Sequence, residues 1–204
     1  MELIDENGQG FLWETGEEYR QPSIAPVDNG SGTGQVSSLS EDWYTHQDIV
    51  SLVHKLYEGP PDLDPMSCEE ANLTVKAKEF YTAEMDGLLR PWYGRMLWNP
   101  PWGGKDATAA KKRGLKKLLD AYNAGDVTEC ICVLNANATT TAWFAPLLSF
   151  PVCFPPYRIK HYGPGGGGGH PNSGTVVIYL GERVDRFAEV FSGLGAVMIP
   201  YRED

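Results

Sequence analysis

Apolar residues recur along the chain at two different spacings. In WYTHQDIVSLVHKLYEGPP, Ile49, Val50, Leu52, Val53, Leu56 and Tyr57 follow the helical period and Gly59-Pro60-Pro61 closes the run, which predicts a first helix. From Asp106 to about Gly125, Leu115, Leu118, Leu119 and Tyr122 mark another helix, with Gly125 suited to its end. RVDRFAEVFSGLG predicts a helix near the C-terminus and TTTAWFAPLLSF a short one. SCEEANLTV predicts a helix in which Ser67 is the expected N-cap and Glu70 its capping-box partner. Shorter runs of β character lie between these: the end of PDLDPM, RMLWNPPW stopped by two prolines, VTECICVL, PYRIKHY, TVVIYLG and AVMIP. Strands alternating with helices from 62 to 134, followed by a strand pair, predict an α/β fold. Its sheet is expected to be mainly parallel, with an antiparallel edge hairpin and helices on both faces.

Residues 1–42 show no sustained apolar period and mix acids with Gly, Ser and Pro. They read as a disordered acidic leader ahead of one domain over 43–204. The charge divides at the same place. The leader carries nine acids against one base, a net of −8, while residues 43–204 carry eighteen acids against sixteen bases, a net of −2. The overall charge of −10 argues against a nucleic-acid partner if taken whole, but the predicted domain itself is close to neutral.

No apolar run approaches the roughly 18 residues of a membrane span, and MELIDENGQG lacks the basic start of a secretory signal. A soluble, intracellular protein without a membrane partner is expected. Cys68, Cys130, Cys132 and Cys153 contain no C-x-x-C pair, so free thiols and no metal are the expectation. His46, His54 and His161 read as satisfied or solvated side chains.

The most informative segment is Asn99-Pro100-Pro101-Trp102. Consecutive prolines fix φ and remove two donors, so the chain leaves its strand rigidly with carbonyls free of competing amides. The carboxyl ends of strands in an open α/β sheet are where ligands bind. Asn99 offers a side-chain carbonyl, Pro100 a main-chain carbonyl and Trp102 a flat apolar face, a set suited to a planar group bearing an amine. Methylation of an exocyclic amine needs such a set, because two acceptors gripping the hydrogens favour a more tetrahedral nitrogen. The alternative is a strand-ending turn with Trp102 in the core.

The tetrapeptide resembles the Asp/Asn/Ser-Pro-Pro-aromatic motif of amino methyltransferases. In order, WYTHQDIV, DLDPMSCEEAN, FYTAEMDGLLRPWYGRMLWNPPWG, the Trp143-Phe144 region and PYRIKHYG resemble the phage-type (Dam-like) DNA N6-adenine methyltransferases over about 43–180. The resemblance implies a Rossmann-like methyltransferase fold, S-adenosyl-L-methionine as cofactor and adenine N6 in DNA as substrate. It implies a catalytic role for Asn99, Pro100, Pro101 and Trp102, and cofactor contacts at Tyr44, Thr45, Asp64 and Asp86. Motif I of many related enzymes is glycine-rich, whereas Asp62–Ser67 contains no glycine. The alternatives are an RNA adenine N6-methyltransferase, a protein glutamine methyltransferase, and a methyltransferase-like nucleic-acid-binding module without turnover.

Lys111, Lys112, Arg113, Lys116 and Lys117 are expected on the helix after this motif, on the face opposite its leucines, with Lys105 in the preceding loop. With Arg158 and Lys160, and with Arg90 and Arg95 flanking the strand, they form a candidate nucleic-acid track; an ordinary solvated face is the alternative. The segment GPGGGGGHPNSG (163–174) reads as a linker between two strands. No segment is long enough for a large target-recognition domain, so target selectivity is expected to be modest or to come from a protein partner.

Overall fold

The sequence from His46 to Pro61 shows how each local signal acts. In the computed structural model, which describes residues 43–103, 106–164, 168–169 and 173–201, helix α1 spans Gln47–Tyr57. His46 caps it by accepting the Asp48 amide at 3.2 Å, and Glu58 ends it in the left-handed region. Ile49, Val50, Val53, Leu56 and Tyr57 are fully buried, each worth roughly 1.5–3 kcal/mol relative to exposure. The expected leader, Lys105 and much of the glycine-rich segment lie outside the described residues.

Strand β1 (Leu63–Asp64) leads into α2 (Glu69–Val75) and β2 (Glu79–Phe80). The cap of α2 is Cys68, whose Sγ accepts the Ala71 amide at 3.4 Å, and not Ser67 as expected. Next come β3 (Gly94–Trp98), α3 (Ala107–Ala124), β4 (Val127–Asn135) and β5 (Val152–Phe154). The chain continues through β6 (His161–Tyr162), β7 (Gly168–Gly169), β8 (Thr175–Leu180), α4 (Val184–Phe191) and β9 (Ala196–Met198). Short 3-10 turns occupy Gly87–Leu89, Ala136–Thr140 and Ala145–Ser149.

Seven strands form a mixed sheet in the order β2-β1-β3-β4-β8-β5-β9. The first four run parallel; β8 is antiparallel to both β4 and β5, and β9 is antiparallel to β5. Alternate residues point to opposite faces. Leu97, Ile131, Val133, Val177 and Tyr179 pack with α1 and α4, whereas Met96, Trp98, Cys130, Cys132, Val176 and Ile178 pack with Leu115 and Leu118 of α3. The expected helices on both faces are present.

The expected edge hairpin is not. All six residues of β8 are buried and the strand lies inside the sheet, with Ile178 registered between Cys132 and Val152. TVVIYL is apolar at successive positions, and such a strand must be covered on both faces. Of PYRIKHY, only His161 and Tyr162 pair. They join Gly168 and Gly169 in a separate two-stranded ribbon, and Tyr162 bridges to Tyr44. The edges are β2 and β9. None of β2, β5 and β7 is among the expected strands.

Gly114 lets α3 lie directly on the sheet, because a Cβ there would come within 2.8 Å of the Trp98 ring. A mid-helix glycine costs about 1 kcal/mol of helix propensity, which this close contact offsets. Arg183, at the start of α4, makes a two-pronged bond to Glu129 of β4 at 2.9 and 2.6 Å, and the Tyr179 hydroxyl donates to the same carboxylate. Cys130, Cys132 and Cys153 are buried free thiols, as expected, and Cys68 is a free, half-buried one.

Candidate functional site

The chain passes from β1 to β2 on one side and then to β3 on the other, so the parallel strands diverge in connectivity between β1 and β3. Crevices form at the carboxyl ends of strands at such a point. Here a cleft of about 700 Å³ is walled by Asp64–Ala71 after β1, Asn99-Pro100-Pro101 after β3, Trp43-Tyr44-Thr45, and the turn containing Asp86 and Gly87. Its size suits a nucleotide-sized ligand, for which pockets of about 300–1,000 Å³ are usual.

The cleft therefore brings together Tyr44, Thr45, Asp64, Asp86, Asn99, Pro100 and Pro101, which sequence reasoning had grouped across more than fifty residues. Both ends of the Asn99 carboxamide are held. Its Nδ2 donates to the Trp43 carbonyl at 2.8 Å and to the Thr45 hydroxyl at 3.1 Å, and its Oδ1 accepts the Trp102 indole N–H at 2.9 Å. Among the described residues, no donor reaches the Pro100 carbonyl.

Asp64 is buried at the end of β1. Burial pushes its carboxyl up to about 7, against the opposing pull of the Ser67 hydroxyl and the Met66 amide. Ser67 Oγ is itself buried and makes no hydrogen bond of normal geometry. Asp86 is exposed at the rim, with φ of 49° and its carboxylate accepting the Leu88 amide at 3.1 Å. Burial raises the Tyr44 hydroxyl, which donates to Glu70 at 3.4 Å and stays protonated.

Sequence reasoning missed Met66, Ser67, Glu69, Glu70, Glu84 and the cleft-facing position of Arg113. The signal for most of them is adjacency to the end of β1 and to Asp86. Among the described residues, the lining contains Asp64, Glu69, Glu70, Glu84 and Asp86 against the single base Arg113. Such a field attracts a cationic ligand and repels a polyphosphate.

Trp102 does not line the cleft. It is 8% exposed, belongs to the core against α1, and its ring is tilted on His161 with centroids 4.8 Å apart. The free flat face expected of it is absent, and the core reading of this tryptophan is the one observed. His161 is fully buried and satisfied. Its Nδ1 meets the Tyr44 carbonyl at 3.2 Å and its Nε2 meets the Thr175 hydroxyl at 3.0 Å. A carbonyl can only accept, so Nδ1 carries the proton and Nε2 accepts from Thr175. Burial, with the nearby His46, lowers His161 to about 4 against the Tyr44 bond, leaving it neutral at pH 7.

The basic residues divide. Lys111 is 8% exposed and its Nζ donates to the Trp102 carbonyl at 3.1 Å. It stands four residues before Leu115 and seven before Leu118, so it shares their buried stripe, which corrects the expectation of a surface lysine. Lys112, Arg113, Arg158 and Lys160 are exposed. Lys116 pairs with Asp120 at 2.6 Å and Lys117 sits 5.8 Å over the Trp92 ring. Arg95 is drawn to Asp62 and the Tyr57 carbonyl. A second hollow of about 740 Å³ follows α3 past Trp92, Tyr93, Lys116 and Lys117, sharing Leu88 and Arg113 with the first.

Among the described residues no helix is long and apolar enough to cross a membrane, and no three His, Cys, Asp or Glu side chains are grouped as a metal site. No protein-family model matches the chain, and no curated protein matches it significantly.

Proposed function

We propose that this chain is an S-adenosylmethionine-dependent methyltransferase of Rossmann-like fold, acting on the N6 amine of adenine in DNA. The observation that carries the reading is the single cleft at the ends of β1 and β3, which gathers Asn99-Pro100-Pro101 with Tyr44, Thr45, Asp64 and Asp86. These segments are the ones whose order resembles the DNA adenine methyltransferases. The strand order, with antiparallel β8 inserted between β4 and β5 and a further antiparallel strand, β9, at the edge, is compatible with that fold.

The lining fits the cofactor in charge and in polarity. Among the described residues, five carboxylates against one base suit a ligand bearing sulfonium and ammonium groups, and the buried Ser67 hydroxyl, which leans on the Asp64 carboxyl but makes no hydrogen bond of normal geometry, is a further polar atom beside them. Asp64, Asp86 and Tyr44 are the residues that would hold it. When bound, S-adenosylmethionine supplies a methyl group already activated by its sulfonium, and alignment then provides much of the acceleration. Asn99 Oδ1 retains one lone pair after bonding Trp102, and the Pro100 carbonyl retains both. These two acceptors are suited to grip the hydrogens of an exocyclic amine. Exposed Lys112, Arg113, Arg158 and Lys160 are the candidates for phosphate contacts.

One observation favours a second reading, a binding module without turnover: Trp102 is buried and offers no open face for a base. A single experiment separates the two. Labelled S-adenosylmethionine is incubated with single- and double-stranded DNA, RNA and protein, and products are identified by mass spectrometry. The expected result is N6-methyladenine in DNA, lost in Asn99→Ala. Product confined to RNA or protein removes the DNA assignment. DNA binding with no cofactor uptake by calorimetry selects the module.

A further inference from the structure

Resting on the functional reading above, we infer that Thr45 and Trp102 are positioning residues that lock the Asn99 carboxamide with its oxygen toward the substrate amine. The resemblance assigned Thr45 to cofactor contact and Trp102 to the catalytic motif. A carboxamide has two ends of nearly equal shape and opposite hydrogen-bonding sense. Only one orientation presents an acceptor to an amine; the other presents N–H to N–H.

The neighbours of Asn99 decide between them. The Trp102 indole N–H is a donor only, and it takes Oδ1 at 2.9 Å. The Trp43 carbonyl is an acceptor only, and it takes Nδ2 at 2.8 Å, while Thr45 Oγ1 takes the other Nδ2 hydrogen at 3.1 Å. A flipped amide would oppose donor to donor and carbonyl to carbonyl. The lock is anchored behind the site as well. His161 contacts the Trp102 ring and bonds the carbonyl of Tyr44, and Tyr44 is bridged to Tyr162 through its amide at 2.6 Å. Lys111 holds the Trp102 carbonyl. Thr45 is 3% exposed and Trp102 8%, so both spend their polar atoms inside the protein.

The test uses the full chain with Thr45→Val, Thr45→Ser and Trp102→Phe. Thr45→Val keeps the shape and removes the hydroxyl; Thr45→Ser restores it; Trp102→Phe keeps an aromatic face and removes the indole N–H. The expected result is a fall of about 10- to 100-fold in kcat for Thr45→Val and Trp102→Phe, the range that misalignment of a reacting group produces. Cofactor affinity by calorimetry stays unchanged, and Thr45→Ser regains most of the rate. Wild-type kcat in Thr45→Val overturns the inference. So does a loss of cofactor affinity with kcat intact, which makes Thr45 a cofactor ligand, or full activity in Trp102→Phe, which makes the ring alone sufficient. If the wild-type chain transfers no methyl to any substrate, the functional reading fails and the lock is judged separately by NMR. The Asn99 Nδ2 hydrogens are then expected to exchange slowly in wild type and fast in Thr45→Val, and equal exchange overturns the lock.

Discussion

Gly87 lies so close to Pro65 that a Cβ built on it would stand 1.9 Å from the Pro65 carbonyl oxygen. The obstacle is backbone, at the point where the chain leaves β1, and no rotamer change relieves it. This contact seats the Asp86 turn against the end of β1 and so closes one wall of the cleft. Gly87→Ala is expected to cost about 1–3 kcal/mol, the usual range for forcing a group into packed structure. Ligand affinity for the cleft is expected to fall with it. Urea denaturation and calorimetry with S-adenosylmethionine check both effects; a wild-type midpoint would show that the turn is not seated as described.

Asp64 ties stability to pH in the direction opposite to a salt-bridged carboxylate. Burial raises its folded value to about 7 from an ordinary 3.8, so the folded state holds the proton more tightly than the unfolded chain. The associated stability is complete below about pH 4 and is lost as pH rises through 7. Asp64→Asn is therefore expected to be nearly neutral at pH 4 and stabilising at pH 8, by an amount on the order of a few kcal/mol. Denaturation curves at the two pH values measure the difference. A cationic ligand favours the ionised form, so its affinity is expected to rise between pH 6 and 8, and Asp64→Asn should flatten that rise.

His161 acts with the other sign. Its folded value is lowered to about 4 from 6.5, so the unfolded chain takes up the proton first. Stability is lost as pH falls from 6.5 through 4. Across that window it opposes the contribution of Asp64, and the net profile of the wild type conceals both. His161→Phe is expected to remove the acid-side loss while costing stability at pH 7 through the lost bonds to Thr175 and Tyr44. Thermal melts of wild type and variant between pH 4.5 and 7 give the comparison.

The lysines of α3 are predicted to behave differently although they are adjacent. If Lys112 and Lys160 contact phosphates, Lys112→Gln and Lys160→Gln should each reduce the slope of log affinity against log salt by about 0.7–0.9. Lys111→Gln is expected to lower stability instead, because it frees the Trp102 carbonyl and leaves a polar end in the core. Unchanged slopes in both surface variants would remove these residues from any nucleic-acid interface.

The Glu129–Arg183 pair lies where β4 begins and β8 ends, and neither residue lines the cleft. Arg183→Met is expected to destabilise the protein by about 2–4 kcal/mol, since it leaves the Glu129 carboxylate without its cation. Ligand affinity should not change. Chemical denaturation together with calorimetry tests whether stability and site are separable there.

Much of this arrangement was legible in local pattern. The period of Ile49 to Tyr57 marked α1, Leu115 and Leu118 marked the buried face of α3, and two prolines after Trp98 marked the end of β3. The grouping of Tyr44, Asp64, Asp86 and Asn99 came from the order of blocks along the chain, and they share one cleft. Three particulars were not legible. Lys111 reads as a surface charge because a lysine in a helix is ordinarily solvated, and only the Trp102 carbonyl makes its burial tolerable. TVVIYL reads as a strand with no address, because an apolar run does not say which neighbours flank it. The role of Trp102 depended on His161, fifty-nine residues further along the chain.

The sequence by itself determined the elements that repeat within a few residues: helix faces, proline stops, the acidic segment and the rigid Asn-Pro-Pro exit from a strand. These rest on sterics and periodicity, which act between near neighbours. Tertiary structure alone decided which polar atoms are used up. Asn99 is locked by Trp43, Thr45 and Trp102, Asp64 is raised by burial, and β8 is enclosed by β4 and β5. Hydrogen-bond satisfaction and desolvation depend on what lies across space from a group, and the chain order does not contain that information until it is folded.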